Sequence, residues 1–207
     1  AANVALNAAA LGVKAHLLGV VGTDEPADLL RIGLDAKGVA ADFVQTKEHP
    51  TITKMRIMSR NQQLIRLDFE ESLSVAGAFD REAYLARFKL ALVDSDVVIL
   101  SDYGKGTLCD VEALIAAARA QNKPVLIDPK GNDYRPYRRA TLLTPNLSEF
   151  EAVVGRCRDE SEMVSKGEKL RAELELDALL VTRSEQGMTL LRAGHEPLHL
   201  PTEAREV

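Results

Sequence analysis

Short apolar runs that end in polar residues, separated by helix-like segments, constrain the fold of this chain more than any other feature. The pattern is clearest between Val125 and Glu151. There, Val125-Leu126-Ile127 leads into Asp128-Pro129-Lys130, and Thr141-Leu142-Leu143 leads into Thr144-Pro145-Asn146. Brief apolar runs bounded by Gly and Pro are typical of buried strands, and the residues after the second run predict a helix. Strands that alternate with helices predict an α/β fold with a mainly parallel sheet covered on both faces.

The same pattern recurs along the chain. Strands are predicted at 15–21, 97–100, 125–127, 141–143, 178–181 and 188–192, and helices at 1–11, 28–37, 80–93, 110–120, 146–154 and 160–173. Open α/β sheets bind ligands beyond the carboxyl ends of their strands, and right-handed crossovers bring those ends to one edge. We therefore expect a ligand-facing edge made by the polar residues that follow the strands: Asp102, Asp128, Lys130, Asn146, Glu149, Thr182 and Ser184.

The Asn146-x-x-Glu149 spacing has two interpretations. An Asn at the N-cap with a Glu at the third helical position forms a capping box, which satisfies backbone donors at the helix start. The same position attracts phosphate, and a carboxylate there can hold a hydrated magnesium ion. The two interpretations are compatible, and the sequence leaves both open.

The segment 43–70 has a different pattern of polar and apolar residues. Residues 51–60 and the second half of 63–69 alternate polar with apolar, which predicts two strands with one exposed face, joined at Asn61-Gln62 as a hairpin. We interpret the segment as a small antiparallel appendage, either a lid over a site, a dimerisation surface, or both. Its polar face carries Lys54, Arg56, Arg60 and Arg66, which suit an anionic ligand, although a solvated face explains them nearly as well.

Bulk properties exclude several classes of protein. The 207 residues carry a net charge of -5, which argues against nucleic acid as the main partner, and no window approaches the apolar length of a membrane helix. Arg135, Arg138 and Arg139 form either a local basic patch for a phosphorylated metabolite or a solvated surface. The isolated Cys109 and Cys157 suit a reducing compartment, which predicts a cytoplasmic protein.

Common catalytic motifs are missing from the sequence. Gly104-Lys105-Gly106 lacks the spacing of a P-loop, and neither a dinucleotide fingerprint nor a serine nucleophile elbow occurs. His195 and His199 lie in a segment predicted to be at the surface, with no acidic residue at useful spacing, and we assign them no role.

Several motifs together resemble the ribokinase-like (PfkB) family of carbohydrate kinases. The run from Ala1 to Ala5, followed by Gly12 and Gly22, resembles the family's N-terminal signature without its leading glycines. Residues 144–149 resemble its Asn-x-x-Glu element, and 181–188 its nucleotide-side strand and turn. Residues 60–70, 100–106 and 125–151 are most similar to the branch that phosphorylates D-glycero-β-D-manno-heptose 7-phosphate, often the first half of a bifunctional kinase and ADP-transferase.

The resemblance implies a three-layer αβα fold with a mostly parallel sheet and a small antiparallel β lid over 43–70. It implies ATP and Mg²⁺ as cofactors, with room for a monovalent cation. The residues it implies for ATP binding are Asn146, Leu147, Ser148, Glu149, Thr182, Ser184 and Gly187, with Asn146 and Glu149 also serving magnesium. The residues it implies for the sugar phosphate are Asn3, Lys54, Arg56, Arg60, Asp102, Asp128 and Lys130.

The implied reaction is transfer of the ATP γ-phosphate to the anomeric hydroxyl of the heptose phosphate, a step in ADP-heptose synthesis for the lipopolysaccharide core. Both ends of the chain look cut. The family's first strand is expected before Ala1, and its catalytic aspartate, in a Gly-Ala-Gly-Asp motif, after Val207. Residues 1–207 are then a partial kinase domain that is inactive alone. The resemblance also implies a homodimer that pairs through its lids, and it leaves open an adenylyltransferase domain in the parent protein.

Two other functions stay open at this point. One is a kinase for another sugar or nucleoside, since details of the pocket decide the substrate of a shared fold. The other is a non-catalytic module that binds a sugar or a nucleotide, an alternative kept because the family's catalytic aspartate is missing from the sequence.

Overall fold

The structure, a computed structural model, describes residues 1–60, 62–74 and 77–202. The chain divides into two compact units, each described by itself below. The first comprises Ala1–Ala91 with Lys105–Cys109, and the second comprises Leu92–Gly104 with the residues from Asp110 onward.

The first unit contains a parallel pair of strands covered by helices. Strand β1 (His16–Gly22) pairs with β2 (Ala40–Thr46), and α2 (Glu25–Asp35) makes the crossover between them. Helix α1 (Ala2–Ala10) precedes β1 and packs its apolar residues on the same core. That core consists of Val21, Ala27, Leu34, Val39 and Phe43.

The hairpin predicted from the alternating pattern is present. Strand β3 (Thr53–Ser59) pairs antiparallel with β4 (Gln62–Phe69), with a register shift between Ile57 and Met58. Of the expected turn, Asn61 lies outside the described residues, and Gln62 already belongs to β4. The expected boundary at residue 43 needs correction, because Phe43–Thr46 pair with β1 and bury Phe43 and Val44 in the first unit.

Asp24 fixes the chain just before the hairpin. Its carboxylate accepts hydrogen bonds from the backbone N–H of Thr51 (2.7 Å), the Thr51 hydroxyl (2.6 Å) and the N–H of Ala27 at the start of α2 (3.2 Å). The Gly22 N–H donates in turn to Thr51 Oγ1 (2.9 Å). Burial alone would raise the pKa of Asp24, but the bonds from Thr51 and Ala27 outweigh it and lower the pKa. One carboxylate thus joins the end of β1, the start of α2 and the residues before β3.

The other end of the hairpin is fixed by the loop at 105–109. Lys105 Nζ lies 2.5 Å from Glu70 Oε1, and its carbonyl accepts a hydrogen bond from the N–H of Leu73 (2.7 Å). Gly106 has φ +92°, and a Cβ there would lie 2.2 Å from the Ser74 nitrogen, so only glycine allows this close approach. Lys105 is therefore held by an ion pair within the first unit.

The second unit is built on a six-stranded sheet in the order β10-β9-β8-β7-β6-β5. Strands β5 to β8 run parallel to one another, whereas β9 is antiparallel to both of its neighbours, β8 and β10. The bounds are β5 (Val98–Ser101), β6 (Val125–Asp128), β7 (Leu142–Leu143), β8 (Ala178–Thr182), β9 (Met188–Arg192) and β10 (Leu198–Leu200). The helices of this unit are α4 (Val111–Ala120), α5 (Leu147–Val154) and α6 (Glu160–Glu173). Helix α3 (Arg81–Val93) belongs to the first unit as far as Ala91.

The predicted α/β architecture with mainly parallel strands and an antiparallel hairpin is confirmed. In the part of the chain that the structure describes, β1 and β2 form a separate two-stranded sheet instead of extending the six-stranded one. Strand β10 was not predicted, and it places His199 in the sheet beside Thr189. No helix among the described residues has both the length and the apolar character needed to cross a membrane.

We predict that Asp24→Asn destabilises the protein at neutral pH by about 1–2 kcal/mol. Asparagine has an NH2 group in place of one carboxylate oxygen, so it cannot accept hydrogen bonds from the backbone N–H and the hydroxyl of Thr51 with two separate oxygens. Thermal unfolding of wild type and variant measures this. Since the pKa of Asp24 is lowered from 3.8 on folding, its contribution is present above that value and is lost as the pH falls below it.

The matched control is Asp28→Asn, which removes the same charge from the first turn of α2 at an exposed position. We expect it to change the free energy of unfolding by less than about 0.5 kcal/mol. Equal destabilisation by the two variants would show that charge near the helix start matters, and not the link to Thr51.

Candidate active site at the carboxyl edge of the sheet

The carboxyl ends of the parallel strands in the second unit lie side by side, as predicted. Ser101 is in register with Asp128, and the N–H of Asp102 donates to the carbonyl of Asp128 (2.9 Å). Further along the sheet, Asn146 forms an isolated parallel bridge with Thr182, whose N–H donates to the carbonyl of Pro145 (3.0 Å). The polar ends of β5 and β6, and those that follow β7 and β8, therefore share one edge.

Helix α5 begins at this edge with a complete capping box. The Asn146 side chain accepts from the N–H of Glu149 (2.9 Å), and Glu149 Oε2 accepts from the N–H of Asn146 (3.2 Å). The other oxygen, Oε1, lies 2.9 Å from Lys130 Nζ. The capping interpretation is thus confirmed, and Glu149 also holds a lysine that reaches it from the end of β6. The N–H groups of Leu147 and Ser148 belong to the first helical turn, where backbone donors have no intrahelical acceptor.

Asp128 and Glu149 lie close enough to influence each other's charge. Partial burial of its carboxylate raises the pKa of Asp128, and the negative charge of Glu149 raises it further, while Lys130 opposes both. The hydrogen bond and charge of Glu149 raise the pKa of Lys130. Two carboxylates with one ammonium leave a net negative charge, which favours a bound cation.

Asp102 is held in place by a residue that sequence reasoning missed. The Tyr137 hydroxyl donates to Asp102 Oδ2 (2.7 Å), and the N–H of Gly104 donates to Oδ1 (2.7 Å). The N–H of Lys130 donates to the same hydroxyl (3.3 Å), so Tyr137 links the loops after β5 and β6. Burial, followed by the bond to Asp102, raises the pKa of Tyr137. Its short helical turn, Arg135–Tyr137, has no pattern in the sequence that marks the tyrosine.

Tyr134 is a second buried tyrosine near this edge. Its residue is 1% exposed, and its hydroxyl has no hydrogen-bond partner among the described residues. Burial and the charges of Glu149 and Asp128 raise its pKa. Arg135 and Arg138, predicted as a basic patch or a solvated surface, form ion pairs with Asp133 and Glu175 and stay exposed, which favours the solvated surface.

The remaining sugar-site candidates lie in the first unit, where their geometry differs. Asn3 is exposed on α1, and Arg60 is exposed at the end of β3 with φ +52°. Lys54 Nζ lies 2.8 Å from Glu70 and 3.3 Å from Asp68, so its charge is neutralised within the hairpin. Arg56 faces Arg66 across the strands, but Arg66 is paired with Asp68. Arg56 has no acidic partner among the described residues.

The chemistry of the edge fits magnesium bound together with a nucleotide. Hard cations take oxygen ligands and keep water when phosphates complete their coordination, and Glu149, Asp128 and the Asn146 side chain supply oxygen donors. Among the described residues, no group of three or more histidine, cysteine, aspartate or glutamate side chains is arranged to hold a metal alone. Phosphate and water oxygens would have to complete the coordination.

Comparison with known protein families assigns the chain. The profile of the pfkB family carbohydrate kinases matches residues 1–207. The chain belongs to the pfkB family of carbohydrate kinases. The matched residues include the strand ends at this edge and the Asn146-x-x-Glu149 capping box.

Curated relatives in the pfkB family share most of the sequence. The chain is 63% identical over 207 residues to the bifunctional protein HldE of Chromohalobacter salexigens and 58% identical to that of Yersinia pestis. Both alignments cover 100% of this chain and 43% of the relative. The chain therefore spans less than half the length of these relatives.

Solved structures of two other kinases share the fold at low sequence identity. Arabidopsis thaliana ribokinase, complexed with ribose and ATP, superposes with a TM-score of 0.76 at 19% identity, over 98% of this chain and 65% of that one. Escherichia coli phosphofructokinase-2, in complex with potassium, gives 0.73 at 17% identity, over 99% and 66%. At these identities the likeness establishes the fold alone.

We predict that Glu149→Gln lowers the pKa of Asp128 toward 3.8, because it removes the neighbouring negative charge. Lys130→Met should raise the same pKa further, because it removes the opposing positive charge. Carbon-13 NMR titration of the Asp128 carboxyl measures both shifts. Glu151→Gln, two residues along the same helix, is the control and should leave the Asp128 titration unchanged. Shifts in the same direction for Glu149→Gln and Lys130→Met would contradict this electrostatic description.

Proposed function

We propose that this chain forms most of a kinase domain that transfers the γ-phosphate of ATP to the anomeric hydroxyl of D-glycero-β-D-manno-heptose 7-phosphate. Support comes from pfkB membership, from relatives named bifunctional protein HldE, and from the motifs similar to the heptose kinase branch. Because those relatives are more than twice as long, the proposal concerns the longer protein, and an adenylyltransferase activity in its remaining part is included in the proposal.

The arrangement around Glu149 is the observation that carries the proposal. Lys130, the first turn of α5 and the Asn146–Glu149 box lie together beside Thr182 at the carboxyl edge of the sheet. Phosphoryl transfer depends mainly on positioning and on neutralising charge. Helix N–H groups from Leu147 and Ser148 and the Lys130 ammonium offer that neutralisation to the ATP phosphates. A cytoplasmic site, where ATP is available and cysteines stay reduced, is part of the proposal.

Magnesium, when bound, adds positive charge at the phosphates, and Glu149 and Asn146 would hold it through water. Glu149 would then exchange its contact with Lys130 for the hydrated cation, which frees the ammonium for a phosphate oxygen. Thr182, Ser184 and Gly187 would contact the nucleotide from the neighbouring strand end. We expect the general base outside these 207 residues, and the fragment alone to be inactive.

For the sugar phosphate, we propose Asp102, Asp128, Asn3 and the basic side chains of the hairpin. Among the latter, Arg56 is the best candidate for the phosphate, because Lys54 is already paired with Glu70 and Asp68. Arg60 would contribute from the hairpin end. Asp102, oriented by Tyr137 and Gly104, would accept hydrogen bonds from sugar hydroxyls.

The test is ADP release from magnesium-ATP and heptose 7-phosphate, with the chain extended to the full length of its curated relatives. We predict that Glu149→Gln lowers kcat at least about tenfold, because it weakens placement of the phosphates and their cation. Glutamine still fits a capping box, so the melting temperature should change little. Glu151→Gln on the same helix is the matched control and should retain activity.

Other outcomes identify the alternatives. Turnover of ribose or fructose 6-phosphate, with none of heptose 7-phosphate, would establish a pfkB kinase for a different sugar. Binding of ATP or sugar without turnover would establish a binding module. A Glu149→Gln variant that melts far below wild type but keeps its activity at low temperature would show that Glu149 serves the helix cap alone.

We further propose that the protein is a homodimer that pairs through the hairpin. Apolar residues Met55, Ile57, Ile65 and Phe69 share one face of β3 and β4, and each is more than 40% exposed. Two-stranded ribbons are barely stable alone, and contiguous apolar surface of this kind marks an interface. A second copy would present the same face, which satisfies the self-complementarity of a two-fold dimer.

We predict that Ile65→Gln shifts the protein from dimer to monomer at micromolar concentration, because it places a polar group in the centre of the apolar face. Sedimentation velocity measures the change. Arg56→Gln introduces the same residue on the opposite face of the hairpin and should leave the dimer intact. A wild-type monomer at all accessible concentrations would refute the dimer without bearing on the kinase activity.

A further inference from the structure

The turn between β8 and β9 has a tightly specified backbone. The N–H of Arg183 donates to the carbonyl of Gly187 (2.7 Å), and the N–H of Gln186 donates to the carbonyl of Arg183 (3.0 Å). Ser184 has φ +50°, a left-handed conformation that costs energy for a residue with a side chain. The turn keeps this conformation only because surrounding contacts enforce it.

One such contact is the close approach of the chain after β10. Gly187 has φ +79°, and a Cβ there would lie 2.0 Å from the carbonyl oxygen of Leu200. The backbone of Leu200 and Pro201 therefore covers one side of the turn, and only glycine fits beneath it. This contact limits how far the turn can relax on that side.

The Arg183 side chain holds the turn from the other side. It is 10% exposed, and its Nη1 lies 2.5 Å from Glu160 Oε2 at the start of α6. Its Nη2 donates to the carbonyl of Gln186 within the turn (3.3 Å). The planar guanidinium thus joins the turn to α6 through two separate nitrogens, a geometry that the single nitrogen of a lysine does not reproduce.

Glu160 is itself oriented by a third side chain. Its Oε1 lies 3.2 Å from His199 Nε2 on β10, and the other ring nitrogen of His199 lies 3.0 Å from Oγ1 of the buried Thr189. The bond from Arg183, together with the charges of Arg183 and His199, lowers the pKa of Glu160. Arg183, from the turn after β8, and His199, from β10, therefore both contact the Glu160 carboxylate, and Thr189 of β9 holds His199.

The turn lies next to the nucleotide end of the candidate site. Thr182, the residue before Arg183, forms the bridge to Asn146, and its N–H is held by Pro145. A displacement of the turn would move Thr182 and Ser184 relative to the start of α5. Changes of about 1 Å in the placement of binding groups can cost a hundredfold in rate.

We propose that Arg183, held by Glu160 and His199, is a positioning residue that fixes the 183–187 turn and so sets the affinity for ATP rather than for the sugar. The inference rests on the proposed kinase function, since it needs the turn to contact the nucleotide. Arg183 itself touches neither substrate in this scheme. Its guanidinium faces Glu160 and Gln186, and it acts through the position of Thr182 and Ser184.

The test compares Arg183→Lys with Arg158→Lys in the full-length protein. Arg158 pairs with Glu162 on the same helix, but its side chain is 86% exposed, so it controls for loss of an arginine ion pair at the start of α6. We expect Arg183→Lys to raise the Kd and KM for ATP about tenfold, because the fork to Glu160 and Gln186 is lost. The KM for the sugar should stay within about twofold, and Arg158→Lys should match wild type in all three constants.

Glu160→Gln is the second variant, at a half-exposed side chain whose loss the fold tolerates more readily. It keeps the position of the acceptor but removes its charge, so we expect a smaller rise in the Kd for ATP. ATP binding by Arg183→Lys and Glu160→Gln that equals wild type would overturn the inference while leaving the kinase proposal intact. Equal losses of ATP and sugar affinity would also overturn it, since they indicate general damage. Wild-type protein that binds no ATP would refute the proposed function, and the inference with it.

Discussion

The reciprocal contact between Asn146 and Glu149 is the interaction on which the candidate site depends. One oxygen of Glu149 accepts from the N-cap amide at the start of α5, and the other contacts Lys130. The same carboxylate therefore caps the helix and holds a cation that follows the neighbouring strand β6. A helix start without such partners would leave its amides to water. Because the box satisfies the amide of Glu149, the amides that remain for a ligand are those of Leu147 and Ser148.

This arrangement explains why a structural and a functional role need not compete at one residue. A capping box requires only hydrogen-bond acceptors, and glutamine would serve nearly as well as glutamate. The negative charge of Glu149 adds only a small stabilisation to the helix start, through the helix dipole. The charge does affect Asp128 and Lys130, whose pKa values are both raised by Glu149. An acid at this position therefore does more for the electrostatics of the edge than for the helix.

Much of the fold could be predicted from the sequence because its signals are local. Helix α6 was predicted at its observed residues, and β8 and β9 followed from an apolar run, a glycine and a second run. Strand β2 was missed, and the hairpin segment was begun inside it at Phe43. A strand that pairs in parallel with a distant one has no marker where the alternating hairpin pattern begins nearby. Strand β10 was missed because its outer residues, Leu198 and Leu200, are exposed and its run is short.

The residues at the shared strand edge could be predicted from the sequence, but their contacts could not. The rule that strand ends share an edge brought Asp102, Asp128 and Asn146 together from sequence alone. The partners that orient them are distant in the chain and follow no periodicity. Tyr137 reaches Asp102 from 35 residues away, and Arg183 reaches Glu160 from 23 residues away. Such pairs depend on how loops close, which propensity and spacing do not encode.

The ion pairs of the hairpin show why the number of basic residues overestimates its positive charge. The polar face of β3 and β4 carries several cations, yet Glu70 and Asp68 neutralise Lys54, and Asp68 also holds Arg66. Glu70 additionally takes Lys105, which fixes the base of the hairpin. An anionic ligand would have to break those pairs to use their cations, whereas Arg56 can bind it without losing a partner. The number of basic residues does not reveal which arginine is left unpaired, and the sugar-phosphate role proposed for Arg56 rests on that difference.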